Sequence, residues 1–358
     1  MQDEPKRARV SARKCNEKSA TWAVVFDIDG VLVHGPKPIH GAKEALLRIM
    51  EKGAPHVFVT NNGMQDETNR SLRLQSTIDV NIDPRRMILC QTPLKDEAEG
   101  FGDKLVLVTG TSLHESGAVG LLKGLGIKNV MSTTEFSACN PELLPNKKRG
   151  PDFIAPSKPK QPVAAIVVVE TPDDWHEDLQ VICDVLRTDG RLGHPAGDDQ
   201  QVVKLYVCNF DFTFAWADVS PRFGPGAFVR CLETLYKGVC GKDLQYICYG
   251  KPHKPAYEFA ERQLLAQLAS AGCVDKQPDD GACSEATELH DMTIYAIGDN
   301  PTSDVRGANG AGDHWKSILV RTGVFEGKSP NDPTDPADFV VDDVSAAVQL
   351  IWELEREA

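Results

Sequence analysis

A chain of 358 residues with 41% hydrophobic and 25% charged residues has apolar material for sizeable cores, and it lacks the low hydrophobicity that keeps chains disordered. At roughly 150 residues per domain, this length predicts two domains. The formal charge of −13 argues against a nucleic-acid partner, because binders of a phosphate backbone concentrate Lys and Arg on one face.

The N-terminus, residues 1–20, carries Lys6, Arg7, Arg9, Arg13, Lys14 and Lys18 but also Asp3, Glu4 and Glu17, which leaves a transit peptide and a solvated basic tail as alternatives. None of the ten cysteines forms a C-x-x-C pair, so a zinc ribbon is not expected. Cys208, Cys231 and Cys248 lie among apolar neighbours and read as small buried hydrophobes in a reducing compartment. No apolar run approaches the roughly 18 residues of a membrane span, the densest being Val163 to Val169.

Taken in order, Ala23 to Phe26 predicts a strand, Asp27-Ile28-Asp29-Gly30 a loop, and the stripe Ala42, Leu46, Ile49, Met50 a helix that stops before Gly53. His56 to Val59 predicts a second strand, closed by the turn residues Asn61-Asn62-Gly63. Leu105 to Val108 and Val163 to Val169 read as strands, with helical patterns at Ser112 to Leu125 and Trp175 to Leu186. Pro141 to Pro162, rich in Pro and Lys, predicts an exposed loop. Val203 to Val207, a helix through Phe228, Cys231, Leu232 and Leu235, a strand-like Gln245 to Tyr249, a polar stretch Ser270 to Asp291, and strands at Thr293 to Ile297 and Ile318 to Val320 complete the series. Such alternation implies an α/β fold with a mainly parallel sheet, whose ligands bind beyond the strands' carboxyl ends.

Four polar clusters follow predicted strands. Asp27 and Asp29 stand two apart, so in extended geometry both side chains face the same way. Two carboxylates can divide the labour of phosphoryl transfer, one attacking phosphorus and the other acting as acid and base. Acid work by Asp29 requires a proton near neutral pH, hence an enclosed setting or a neighbouring acid. Thr60 offers a hydroxyl at a strand end, and the turn from Asn61 can aim backbone amides at an anion. Lys251, kept extended by Pro252, can reach inward as a compact positive charge. Asn300 suits an N-cap with Pro301 at the first helical position. Asp304 then has an innocent place in the first turn, whereas Asp299 has no structural duty and is the better metal ligand. Magnesium takes one or two protein carboxylates beside a substrate phosphate, a demand that Asp27 and Asp299 meet. Each cluster alone has an ordinary turn or surface explanation.

In this order, Asp27-Ile28-Asp29-Gly30-Val31, Thr60, Lys251 and Gly298-Asp299 through Asp304 resemble the four motifs of the haloacid dehalogenase superfamily. The segment between Thr60 and Lys251, with Asn209-Phe210-Asp211, Gly224-Pro225-Gly226 and Gly250-Lys251-Pro252, is similar to the cap of its subclass IIA. Val59 to Gly63, Gln91-Thr92-Pro93-Leu94-Lys95 and Gly298 to Val305 look closest to the cat eye syndrome critical region protein branch, which is commonly mitochondrial. The resemblance implies a Rossmann-like core at residues 21–99 and 231–358, interrupted by an inserted α/β C2-type cap at 100–230. It also implies a phosphoaspartate intermediate and Mg2+ held by Asp27, Asp299 and the backbone carbonyl of Asp29. Thr60, Asn61 and Lys251 are then expected at the phosphate, Asp304 as an accessory acid, and Asn209 and Asp211 near the substrate.

The expectation is therefore a magnesium-dependent phosphatase acting on a small phosphorylated metabolite, with a homodimer left open and a mitochondrial address set against a cytoplasmic one. A binding or scaffold protein on the same fold, and a phosphomutase, are the competing readings. A dehalogenase needs neither Asp29 nor Asp299.

Overall fold

The computed structural model describes residues 22–109, 117–150, 154, 156–197, 201–216, 219–272, 292–326 and 329–357. The N-terminal tail, the start of the pattern at Ser112 and the polar stretch after Gly272 lie outside the described residues.

Six parallel strands form the first sheet, in the spatial order Phe339–Val341, Trp315–Val320, Thr293–Gly298, Trp22–Phe26, His56–Thr60 and Met87–Leu89. Its strands alternate as buried strands do. Trp22, Val24 and Phe26 pack with helices Ala42–Lys52 and Val344–Glu357 on one face, while Ala23 and Val25 pack against helix Lys254–Gly272 on the other. Phe26 is fully buried and stacks on Phe58 with ring centroids 5.9 Å apart, so Phe26→Ala should cost about 3–5 kcal/mol.

The chain order reverses at Trp22–Phe26: later strands add outward from it on one side as far as Met87–Leu89, and the C-terminal strands add on the other. That reversal is the crevice where open α/β sheets bind ligands. Phe26 stands level with Ile297 on one neighbour and Phe58 on the other. Asp27, Thr60 and Asp299 therefore leave the sheet at nearly the same height.

A second parallel sheet of five strands has the order Ile247–Cys248, Lys204–Val207, Val163–Val168, Leu105–Val108 and Val130–Ser132. Leu105, Leu107, Ile166 and Val168 face helices Trp175–Leu186 and Pro225–Cys240, and Val106, Val108, Ala165 and Val167 face the opposite cluster. This unit, the cap, runs to Cys248, further along the chain than the boundary of 230 expected from sequence. The α/β class with parallel sheets and an inserted cap is the one expected. Helix Lys95–Phe101 joins the two units: its Asp96 pairs with Arg262 of the core, and its Glu97 accepts the Tyr206 hydroxyl of the cap at 3.0 Å.

Among the described residues no helix is long and apolar enough to cross a membrane. Cys208 and Cys248 are buried as expected, but Cys231 is exposed, because it lies on the outer face of a helix whose Phe228, Leu232 and Tyr236 fill the core. Pro141 to Pro162 opens with the short 3-10 turn Pro141–Leu143 and otherwise forms no helix or strand among the described residues.

Candidate active site

Asp27 follows a fully apolar strand and is 7% exposed. Lys251 Nζ lies 2.5 Å from Asp27 Oδ1 and 2.5 Å from Asp304 Oδ1, bridging them. One carboxylate oxygen from each of Asp27, Asp299 and Asp304 lies within 4.8 Å of the others, the single group of metal-ligating side chains of this kind among the described residues. Asn300 caps the turn as expected, accepting the Thr302 N–H at 3.0 Å. The chain then makes a wide π-type turn, Pro301–Val305, before the helix proper at Arg306–Ala311. In that turn Asp304 accepts the Asn300 N–H at 3.0 Å, which fixes its carboxylate against Lys251.

Asp299 accepts the Val324 N–H at 2.6 Å. Gly30 stands directly beneath it with φ +92°, and a Cβ at Gly30 would strike the Asp299 carboxylate. Thus the glycine after Asp-x-Asp both makes the turn and lets the first and fourth motifs meet. Thr60 is 3% exposed, and its Oγ1 accepts the Asn62 N–H at 3.1 Å, leaving its own O–H to donate to an anion.

Burial pushes the Asp27 carboxyl well above the usual range, and the charges of Asp304 and Asp299 add to this against the pull of Lys251. Asp299 is pushed up to about 6, first by burial and then by Asp304. Burial works against the Lys251 charge, yet Asp27 and Asp304 outweigh it and keep the ammonium protonated. Three buried carboxylates facing one lysine are under-compensated, and their hard oxygen donors fit a small divalent cation. That is the donor set and charge that such an ion requires.

Two sequence expectations are corrected here. Asp29 does not share the burial of Asp27: the strand ends at Phe26, Asp29 bridges to Val33, and its half-exposed side chain accepts from Arg70 Nη2 at 2.7 Å. The enclosure anticipated for Asp29 surrounds Asp27 and Asp299 instead. Nor do all four clusters leave one sheet. Lys251 follows Ile247–Cys248, an edge strand of the cap sheet, and reaches Asp27 from the returning linker.

Asn61, Asn209 and Asp211 meet at the seam between the units. Asn209 Nδ2 donates to the Asn61 carbonyl at 3.1 Å, and Asn61 Nδ2 lies 3.4 Å from Asp211 Oδ1. Arg70 was not anticipated. It shares helix Glu67–Ile78 with Arg73, and only the fold brings it, rather than its neighbour, under the Asp29 turn.

Comparison with known proteins shows the family and the fold. The family model described as haloacid dehalogenase-like hydrolase matches residues 24–128, and the related HAD-hydrolase-like model matches residues 248–347. A mitochondrial hydrolase of Saccharomyces cerevisiae is 29% identical over 347 residues, covering 92% of this chain and 95% of its own. A cardiolipin synthase (CMP-forming)/mitochondrial hydrolase fusion protein of Schizosaccharomyces pombe is 30% identical over 370 residues, covering 97% of this chain, which spans 56% of that relative. Among solved structures, p-nitrophenyl phosphatase from Archaeoglobus fulgidus superposes with a TM-score of 0.61 at 16% identity, over 92% of this chain and 99% of its own. With two family models that match the segments carrying Asp27, Lys251 and Asp299 and together cover more than half of the chain, the chain belongs to the haloacid dehalogenase-like hydrolases.

Proposed function

We propose that this hydrolase is a magnesium-dependent phosphatase that cleaves a small phosphorylated metabolite through a phosphoaspartate on Asp27. The observation that carries the reading is the Lys251 ammonium set 2.5 Å from both Asp27 and Asp304, inside a cluster of three carboxylates. A phosphoryl group entering there meets a buried nucleophile, a fixed cation and, at Thr60, a free hydroxyl donor.

Asp27, Asp299 and the Asp29 carbonyl would hold Mg2+. When bound, the ion supplies charge neutralisation between carboxylate and phosphate. In the first step an Asp27 carboxylate oxygen bonds to phosphorus as the ester P–O bond breaks, and the departing oxygen takes a proton from Asp29. In the second, water attacks phosphorus and gives a proton to Asp29. The P–O bond to Asp27 then breaks, releasing inorganic phosphate and restoring both carboxyl groups. Lys251, Thr60 and the backbone amides of the Asn61-Asn62-Gly63 turn stabilise the charge on the transferring group. Asp304 holds Lys251 in place.

The name of the structural neighbour, a p-nitrophenyl phosphatase, supports phosphate esters as substrates. The names of the two yeast relatives support a mitochondrial location and fit the cat eye branch likeness. A fluorescent fusion reads the location directly, and a cytoplasmic signal would overturn it. The activity is tested by phosphate release from a broad metabolite panel with MgCl2, run beside Asp27→Asn. Release by the wild type alone is expected; release from no compound, or full activity in Asp27→Asn, would end the proposal.

A further inference from the structure

The Asn61 side chain is fully engaged, and its partners come from two parts of the molecule. Its Oδ1 accepts the Lys251 N–H at 2.8 Å and its Nδ2 donates to the Lys251 carbonyl at 3.0 Å, so one amide grips both ends of the same residue. The other Nδ2 hydrogen faces Asp211 Oδ1 at 3.4 Å. A primary amide has two N–H donors, and both are therefore committed. From the cap, Asn209 Nδ2 donates to the Asn61 carbonyl at 3.1 Å, while Asn209 Oδ1 accepts the Asp211 N–H at 2.8 Å, tying the cap turn into one hydrogen-bonded unit. The fit is close. A Cβ at Gly250 would lie 2.5 Å from the Cys208 carbonyl and 3.0 Å from Asn61 Oδ1.

We propose that Asn61 is a positioning residue that makes the placement of Lys251 depend on docking of the cap turn Asn209-Phe210-Asp211, so that the ammonium reaches Asp27 when that turn is seated. This rests on the phosphatase reading above. It also reassigns the Asn61 side chain: its amide serves Lys251 and the cap, and only the backbone of its turn is left for phosphate. Asn209 and Asp211 then act by seating the cap, through Asn61.

Steady-state turnover of p-nitrophenyl phosphate with MgCl2 is compared for wild type, Asn61→Ala, Asn209→Ala and the double variant of the full chain. Each single change should lower kcat about tenfold or more with KM within about threefold, and the double variant should fall no further than Asn61→Ala. Losses that multiply, or a rise in KM alone for Asn61→Ala, would overturn the proposal. If Asn61→Ala does not fold, Asn209→Ala decides, since it keeps the Asn61 side chain and removes the hydrogen bond from the cap; an unchanged kcat there overturns the coupling. Hydrogen exchange at the Lys251 amide needs no turnover: it should quicken in Asn209→Ala, and an unchanged rate contradicts the inference. An inactive wild type would sink the phosphatase reading, whereas an active wild type with unaffected variants would sink only this one.

Discussion

Arg70 holds Asp29 by a single charged hydrogen bond: its Nη2 donates to Asp29 Oδ2 at 2.7 Å, with the arginine side chain 4% exposed and the aspartate 48%. Asp29 sits on a turn, half in solvent, so this tether sets the direction of its carboxyl group. In Arg70→Met the fold should survive, because Asp29 is open enough to be hydrated and Arg70 Nε has no protein partner to lose. The loss of activity should depend on the leaving group. An alkyl phosphate, whose leaving oxygen needs a proton, should lose about a hundredfold in kcat/KM, and p-nitrophenyl phosphate much less. Equal losses on both esters would show that Arg70 does not act through the proton donor.

Lys251→Met removes the cation that bridges Asp27 and Asp304, both buried. Turnover should fall by about 10²–10³, the range seen when a preorganised charge-stabilising group is deleted. The metal-free variant should also unfold at lower temperature, since breaking a buried ion pair costs about 3–5 kcal/mol. Lys251→Arg should not rescue, because the planar guanidinium cannot take the place of a compact ammonium between two carboxylates. Turnover and thermal unfolding of both variants check this.

Magnesium should raise the unfolding temperature of the wild type by mass action, by the equivalent of about 2.7 kcal/mol at a hundredfold excess over Kd. In Asp299→Asn the cluster loses one of its three carboxylates, and most of the shift should disappear. Equal shifts in the two proteins would place the ion elsewhere.

Asp178 provides a pH test away from the site. It is buried in the cap against the Thr133 hydroxyl, and burial raises its carboxyl to about 7, with Glu177 adding to the rise. A folded-state value above the unfolded one means that its contribution to stability is fully present below about pH 4 and is lost as pH climbs through 7. Asp178→Asn should flatten that part of the stability profile and raise the unfolding temperature above pH 7 relative to wild type. A slope unchanged in calorimetry across pH 4–8 would show that Asp178 ionises freely in the fold.

Local pattern revealed several of the elements that bury themselves, though not the helices Lys254–Gly272 and Val344–Glu357. Trp22–Phe26, His56–Thr60, Leu105–Val108 and Val163–Val168 are short, largely apolar runs rich in β-branched residues, and helix Trp175–Leu186 carries a clear apolar stripe. Met87–Leu89, Val130–Ser132 and Phe339–Val341 escaped because three residues make no period, and their strand character comes from the neighbours they pair with. The split into two sheets was equally hidden at Ile247–Cys248, whose sequence does not say which sheet it joins.

At the site, the residue types and their order were legible, but directions were not. Asp27 is buried and Asp29 is half-exposed against Arg70, a difference that the spacing of two residues did not carry because the strand ends at Phe26, before either of them. Arg70 and the side-chain contacts of Asn61 depend on approaches between segments separated by 41 and 190 residues, for which one sequence carries no signal.

Hydrolysis by the proposed route requires that Asp27 become covalently phosphorylated. The most direct measurement is rapid acid quench of the enzyme during turnover of a phosphate-labelled substrate, followed by peptide mapping. Label is expected on the peptide containing Asp27, lost on alkaline treatment and absent from Asp27→Asn. Active enzyme that never carries label there, with inversion at phosphorus showing direct attack by water, would contradict it.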